Sequence, residues 1–204
     1  MYPDKPLVYD QYAKEGEYTE SKSSSPYTYA YHVPSINLKS DDAAKINAEL
    51  NALCMPYIND ALDCIKSGVS ISTFNIDYHY YENYGTLSLL VRISRYGDRF
   101  KVYVIDTSSG KKISNTELLA KRSISEEKFL SSVKEFATAE FKQQYAGEPG
   151  TALDTERYNK TVDINNINTD TPMYFDSDGT LCVIAKIYSP AGAEYYYHIL
   201  DTSL

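Results

Sequence analysis

Three histidines, three cysteines and a pair of closely spaced aspartates are the side chains here that could do chemistry. His32, His79 and His198 lie far apart in sequence. A metal site or an activated nucleophile would need them to converge with thiols or carboxylates, and lone histidines on strands ordinarily serve as surface or satisfied core residues. Cys54, Cys64 and Cys182 form no Cys-x-x-Cys, and no histidine stands near them at ligand spacing. Cys54 and Cys64 fall on one helical stretch, where ten residues span roughly 15 Å. That is too far for a disulfide. Buried free thiols are therefore the expectation, with a bridge from Cys182 to either one left open. Asp176-Ser-Asp178-Gly179 could begin a calcium loop, but the twelfth position, which should be Glu, is Ile187. A looser site at Asp170, Asp176 and Asp178 stays open, while Asp-Gly is more simply the turn of a hairpin. No Gly-x-Ser-x-Gly, phosphate loop or dinucleotide fingerprint occurs. No cofactor, metal or catalytic residue is expected, and the chain is read as no enzyme.

Tyrosine is the residue in excess: 21 in 204, with no tryptophan. Its amphipathic ring suits half-buried strands and contact surfaces. Tyr195, Tyr196 and Tyr197 are consecutive, so alternation cannot turn all three inward. The same holds within Tyr80, Tyr81 and Tyr84. These six are the expected contact face.

The elements that must position them are those of an α+β protein. Tyr27–Val33 alternates as a strand, expected to close at Pro34. Ser40 offers an N-cap, with Asp41 and Asp42 suited to the first turn. Ile46, Leu50, Leu53, Cys54, Tyr57, Ile58, Ala61, Leu62 and Ile65 then follow at helical spacing. Pro56 should kink or split that helix and Gly68 should end it. Strands centred on Phe74–Tyr80, Leu87–Ile93 and Phe100–Val104 predict an antiparallel meander with helices on one face. A second amphipathic helix is expected near 125–145, opened by a Ser123/Glu126 capping box. Residues 146–170 read mostly as loop with a short helical turn. Met173–Asp176, Leu181–Tyr188 and Glu194–Leu200 read as closing strands. Residues 1–26, polar, without clear period and ending in Ser-Ser-Ser-Pro, read as a tether or linker. Met1 is then an added start residue, and a signal or anchor is expected upstream of the tether.

Composition narrows the partners. A chain that is 43% hydrophobic and 24% charged can bury a core, and a net charge of −8 argues against nucleic acid. The acidic surface would steer cationic partners. Lys111-Lys112 and Lys121-Arg122 read as solvated basic patches. The longest apolar runs fall short of a membrane span.

The stretch Phe175-Asp-Ser-Asp-Gly179 also resembles the Phe-Asp-Asp-Gly core of polysaccharide deacetylases, but the inserted serine and the lack of a His-x-x-x-His pair set it apart. A broader resemblance runs over residues 27–204. Tyr31-His-Val-Pro-Ser-Ile-Asn-Leu-Lys-Ser40 with Asp42-Ala-Ala-Lys-Ile-Asn47, and then Tyr84-Gly-Thr-Leu-Ser88, resembles the N-terminal module of PdaC-type peptidoglycan deacetylases. Val104-Ile-Asp-Thr-Ser-Ser-Gly110-Lys-Lys-Ile-Ser114 through Glu117-Leu-Leu119, with Tyr174–Gly179, Ile187-Tyr188 and Pro190-Ala-Gly192, resembles the partner module that follows it. Together they resemble the extracellular part of RsiV-type anti-sigma factors, receptors for lysozyme. The resemblance implies a PdaC-like α+β module over 27–105 and an RsiV-like one over 106–204. It also implies a short acidic-leucine helix near Glu117 and an extracytoplasmic, Gram-positive setting, membrane-anchored or secreted. The expected function is a non-enzymatic binding or sensor module for a basic protein such as lysozyme. The alternative is a cell-wall accessory that binds peptidoglycan glycan on exposed tyrosines.

Overall fold

The computed structural model describes residues 4–19, 27–69, 74–95, 97–144, 152–189, 193–202 and 204. Among them the fold is α+β, and the chain divides into two compact units. The first comprises Met1–Tyr80 and Gly85–Lys112, the second Tyr81–Tyr84 and Ile113–Leu204.

The first unit is built on one long helix. Ser40, in extended conformation, accepts a hydrogen bond from the Ala43 amide through its hydroxyl, and Asp41 and Asp42 occupy the first turn. The helix α1 runs Asp41–Ser67 and stops at Gly68, whose φ of 67° closes the last carbonyls in a left-handed cap. Pro56 does not split it. Pro56 and Ala52 are both exposed, so the carbonyl that loses its donor lies on the solvent side. Ala43, Ile46, Leu50, Cys54, Ile58 and Ala61 make the buried stripe. Each large side chain so buried contributes about 1.5–3 kcal/mol.

That stripe packs on a five-stranded sheet with strands in sequence order: β1 (Val8–Tyr18), β2 (Tyr27–Ile36), β3 (Phe74–Asn83), β4 (Thr86–Ser94) and β5 (Asp98–Asp106). In β4 the alternation puts Leu87, Leu89, Val91 and Ile93 in the core. Three expectations are corrected. First, Val8–Tyr18 is an eleven-residue strand paired antiparallel with β2, where a tether was expected. Only Val8 and Tyr18 of it are buried, so it carries no apolar alternation. Second, β2 continues through Pro34 to Ile36. Among the described residues, pairing with β3 involves Tyr29–Tyr31, so Pro34 lies beyond the stretch where an inward-facing donor is needed. Third, the sheet is mixed: β2 and β3 are parallel, with α1 as the crossover between them.

In the second unit, α2 (Asn115–Lys121) opens with a reciprocal capping box between Ser114 and Glu117. The box expected at Ser123 is absent. Ser123 has φ 54°, and the Ser125 hydroxyl instead accepts from the Lys128 amide at the start of α3 (Glu126–Gln144). Residues Ala152–Val162 form an eleven-residue helix, α4, in place of the expected loop. Three antiparallel strands follow in order: β6 (Met173–Phe175), β7 (Leu181–Tyr188) and β8 (Tyr195–Asp201). Phe129, Val133, Ala137 and Phe141 of α3 are buried, as are Phe175, Leu181, Val183, Ala185 and Ile187.

Each unit clamps a strand with one asparagine. The Asn47 amide accepts from the Ile36 N–H at 2.7 Å and donates to the Ile36 carbonyl at 3.0 Å. Asn166 does the same for Lys186 of β7, at 3.3 and 2.8 Å. Both side chains stand in for a missing strand neighbour.

Candidate functional site

The best-formed chemical cluster lies in the first unit, where β1, β2 and β3 border a recess of about 410 Å³. Asp10, His32, Asp77, Tyr78, His79 and Tyr80 line it. His32 Nδ1 lies 3.1 Å from Asp10 Oδ2, and its Nε2 lies 3.5 Å from Glu15 Oε1. The hydrogen bond to Asp10 holds the imidazole pKa above its ordinary value against partial desolvation, and Glu15 adds to the effect. Burial, with the Asp10 charge second, pushes the Tyr78 phenol up to about 12. Asp77 accepts from Asn75 Nδ2 at 2.6 Å. A neighbouring recess of about 540 Å³ includes Glu15 and Glu17 in its wall. The β1 strand thus supplies Asp10, Glu15 and Glu17.

Chemically this arrangement suits cations better than proton transfer. Both imidazole nitrogens face carboxylates, so the protonated ring is favoured and neither nitrogen is left to act as a base. The Tyr78 phenol is made less acidic. Among the described residues no group of three or more His, Cys, Asp or Glu could hold a metal. What remains is carboxylate and tyrosine surface around an open recess, the combination that receives ammonium and guanidinium groups.

The six tyrosines singled out by sequence have different settings. Tyr80 borders the recess just described and is 38% exposed. Tyr81 and Tyr84 belong to the second unit. Tyr81 stacks on Tyr174 at 5.7 Å, nearly parallel. Tyr84 takes a positive φ of 50° and Gly85 one of 70°, the signs required by a two-residue primed hairpin turn. The Arg122 guanidinium covers the Tyr84 ring at 4.0 Å and Phe175 meets it edge-on. Tyr195 and Tyr197 share one face of β8 and meet edge-to-face at 5.5 Å, with Tyr188 beside Tyr195. Tyr196 points the other way and is 49% exposed.

Other candidates resolve into structure. Asp176 Oδ1 accepts from the Asp178 and Thr180 amides, and Gly179 has φ 79°, so the Asp-Ser-Asp-Gly segment is a turn. Arg122, expected as a solvated basic residue, covers aromatic rings and donates to the Gly179 carbonyl at 3.2 Å. All three cysteines are free thiols; Cys54 and Cys182 are buried and Cys64 is half-buried. His198 pairs with Glu140 at 2.9 Å. Sequence reasoning missed the Asp10–His32–Glu15 group because Asp10 and Glu15 lay in the supposed tether. A strand assignment there would have placed them opposite β2.

No family model matches the chain, and no curated protein matches it significantly.

Proposed function

We propose that this chain is an extracytoplasmic, non-enzymatic binding or sensor module that captures a cationic wall-active protein, lysozyme being the type of partner. The observation that carries the reading is the recess where Asp10 and Asp77 meet Tyr78 and Tyr80 around His32, with Glu15 3.5 Å from the other imidazole nitrogen and in the wall of a second recess. Carboxylates beside tyrosine rings recognise lysine and arginine side chains by charge and by cation–π contact. The net charge of −8 adds long-range steering toward a basic partner. The PdaC-like and RsiV-like motif pattern supports the same class of partner. Calorimetric titration with lysozyme at low and high salt tests the reading. Binding should weaken at high salt, and Asp10→Asn/Glu15→Gln should slow association roughly 3- to 10-fold. An absence of heat at both salt concentrations rules this partner out.

A second reading, an accessory that binds cell-wall glycan, has its own supporting observation. Tyr188, Tyr195 and Tyr197 form a contiguous aromatic cluster on the three-stranded sheet, with the Lys186 ammonium 4.5 Å from the Tyr195 ring centre. Retention on purified peptidoglycan that survives high salt and falls with Tyr195→Ala would favour it over the cationic-protein reading.

A further inference from the structure

Among the described residues four strands lie at a sheet edge: β1 and β5 in the first unit, β6 and β8 in the second. An edge strand offers unpaired backbone donors and acceptors, and proteins guard it with charges, proline, bulges or shortness. Three of the four are guarded. Strand β1 has the register shift between Asp10 and Tyr12, and carries Asp10, Lys14, Glu15 and Glu17. Strand β5 carries Asp98, Arg99, Lys101 and Asp106, and Lys112 bridges to its Ile105. Strand β6 is three residues long and buried throughout. Strand β8 is the exception. Its sequence, Tyr195-Tyr-Tyr-His-Ile-Leu-Asp201, has no lysine, arginine or proline, and its register on β7 is unbroken. Tyr196 and Ile199 are 49% and 40% exposed.

The two ends of this edge carry opposite charges. Lys186 of β7 stands opposite Tyr197, and its ammonium reaches to 4.5 Å from the Tyr195 ring centre. Among the described residues no carboxylate pairs with it. At the other end the Asp201 carboxylate accepts from the Cys182 thiol at 3.3 Å and has no cationic partner among the described residues.

We propose that β8 pairs antiparallel with β8 of a second copy of this chain, across a two-fold axis at His198, joining the two three-stranded sheets into one. The charges set the register. With the axis at His198, Asp201 of each copy stands opposite Tyr195 of the other, beside the Lys186 ammonium. Two symmetric ion pairs result, as a self-complementary two-fold contact requires. The same register sets Tyr197 opposite Ile199 and Tyr196 opposite Leu200, aromatic–aliphatic pairs of the kind that stabilise sheets. At the axis the two His198 rings meet, each paired with Glu140 of its own α3 at 2.9 Å. Moving the axis one residue along carries Asp201 two residues, roughly 7 Å, away from Tyr195. The contact is small beside a standard interface, so the dimer should be weak, with a Kd on the order of 10–500 µM. It uses the second unit alone and rests on neither functional reading above.

Sedimentation equilibrium of the whole chain from about 5 µM to about 1 mM tests the proposal. The mean mass should rise from 23.1 kDa toward twice that value. Amide shifts that change over the same range should concentrate at residues 186 and 195–201. Lys186→Asp and Asp201→Lys should each weaken dimerisation at least about tenfold, because each sets like charges together. Mixing the two variants should restore it, since both ion pairs re-form in the mixed dimer. Ile199→Lys should leave a monomer by charging the edge. A parent chain still monomeric at about 1 mM overturns the proposal. A dimer whose shifts lie elsewhere, or one that survives Ile199→Lys, overturns it too. So does a mixture of the two charge variants that associates no more tightly than either alone, each having kept the parent's urea midpoint. Lys186→Gln and Asp201→Asn replace a reversal that lowers that midpoint, and equal dimerisation by both counts against the proposal in the same way.

Discussion

His32 stands between two carboxylates, and that setting makes a pH prediction. Its folded-state pKa is raised by the hydrogen bond to Asp10 first, with the charges of Asp10 and Glu15 adding. The ion pair therefore stabilises the fold fully below the unfolded pKa of about 6.5. That contribution is lost as pH rises through the higher folded value. An NMR titration of the His32 ring should give a midpoint above that of an exposed histidine, and Asp10→Asn should bring it down. An unchanged midpoint in the variant would remove Asp10 as the cause. The thiols make a second prediction. Burial pushes Cys54 up to about 11; burial, then the Asp201 carboxylate, pushes Cys182 up to about 12. Because the thiolate is the reactive form, both should resist alkylation at pH 8 in the native chain and react in urea. Mass spectrometry after a timed iodoacetamide pulse reads this directly. Burial of these two cysteines was legible from their apolar neighbours. The His32 pairing was not, because its partners are 22 and 17 residues away in a segment without apolar alternation.

At the scale of elements, the two asparagine clamps carry more than their size suggests. Asn47→Ala removes both bonds to the Ile36 backbone, and Ile36 is only 3% exposed. The loss should be about 1–3 kcal/mol. Asn166→Ala strips Lys186 of the same pair and also removes a 2.6 Å bond to the Thr161 carbonyl, so its cost should be at least as large. Urea unfolding measures both; a change below about 0.5 kcal/mol would show that water replaces the clamp. Helix α1 and strand β4 were readable because their apolar periods are strong, and β7 because it is a near-continuous apolar run. The missed elements share a cause. Strand β1 is an edge strand buried only at its ends, and among the residues of α4 whose burial is described only Thr161 is buried, at 0% exposure. Both are mostly polar, so little apolar residue content marked them in the sequence.

At the scale of the whole molecule, charge is the property that sequence alone reports and that acts at long range. With 28 acidic against 20 basic residues, association with a basic protein should slow steeply as salt rises, while dissociation changes less. Stopped-flow rates across a salt series distinguish this from glycan stacking, which depends little on ionic strength. The α+β class, the helix α1 with its Ser40 and Gly68 caps, and the hairpin turn at Gly179 were determined by sequence, because propensity, capping and turn chemistry are local. Tertiary structure alone decided that β2 and β3 run parallel across α1. It also decided that an unpromising N-terminal segment joins the sheet, and that Tyr81 stacks on Tyr174 while Tyr84 lies under Arg122. Those outcomes depend on which strands find one another across long stretches of chain, and no local pattern of side chains encodes that choice.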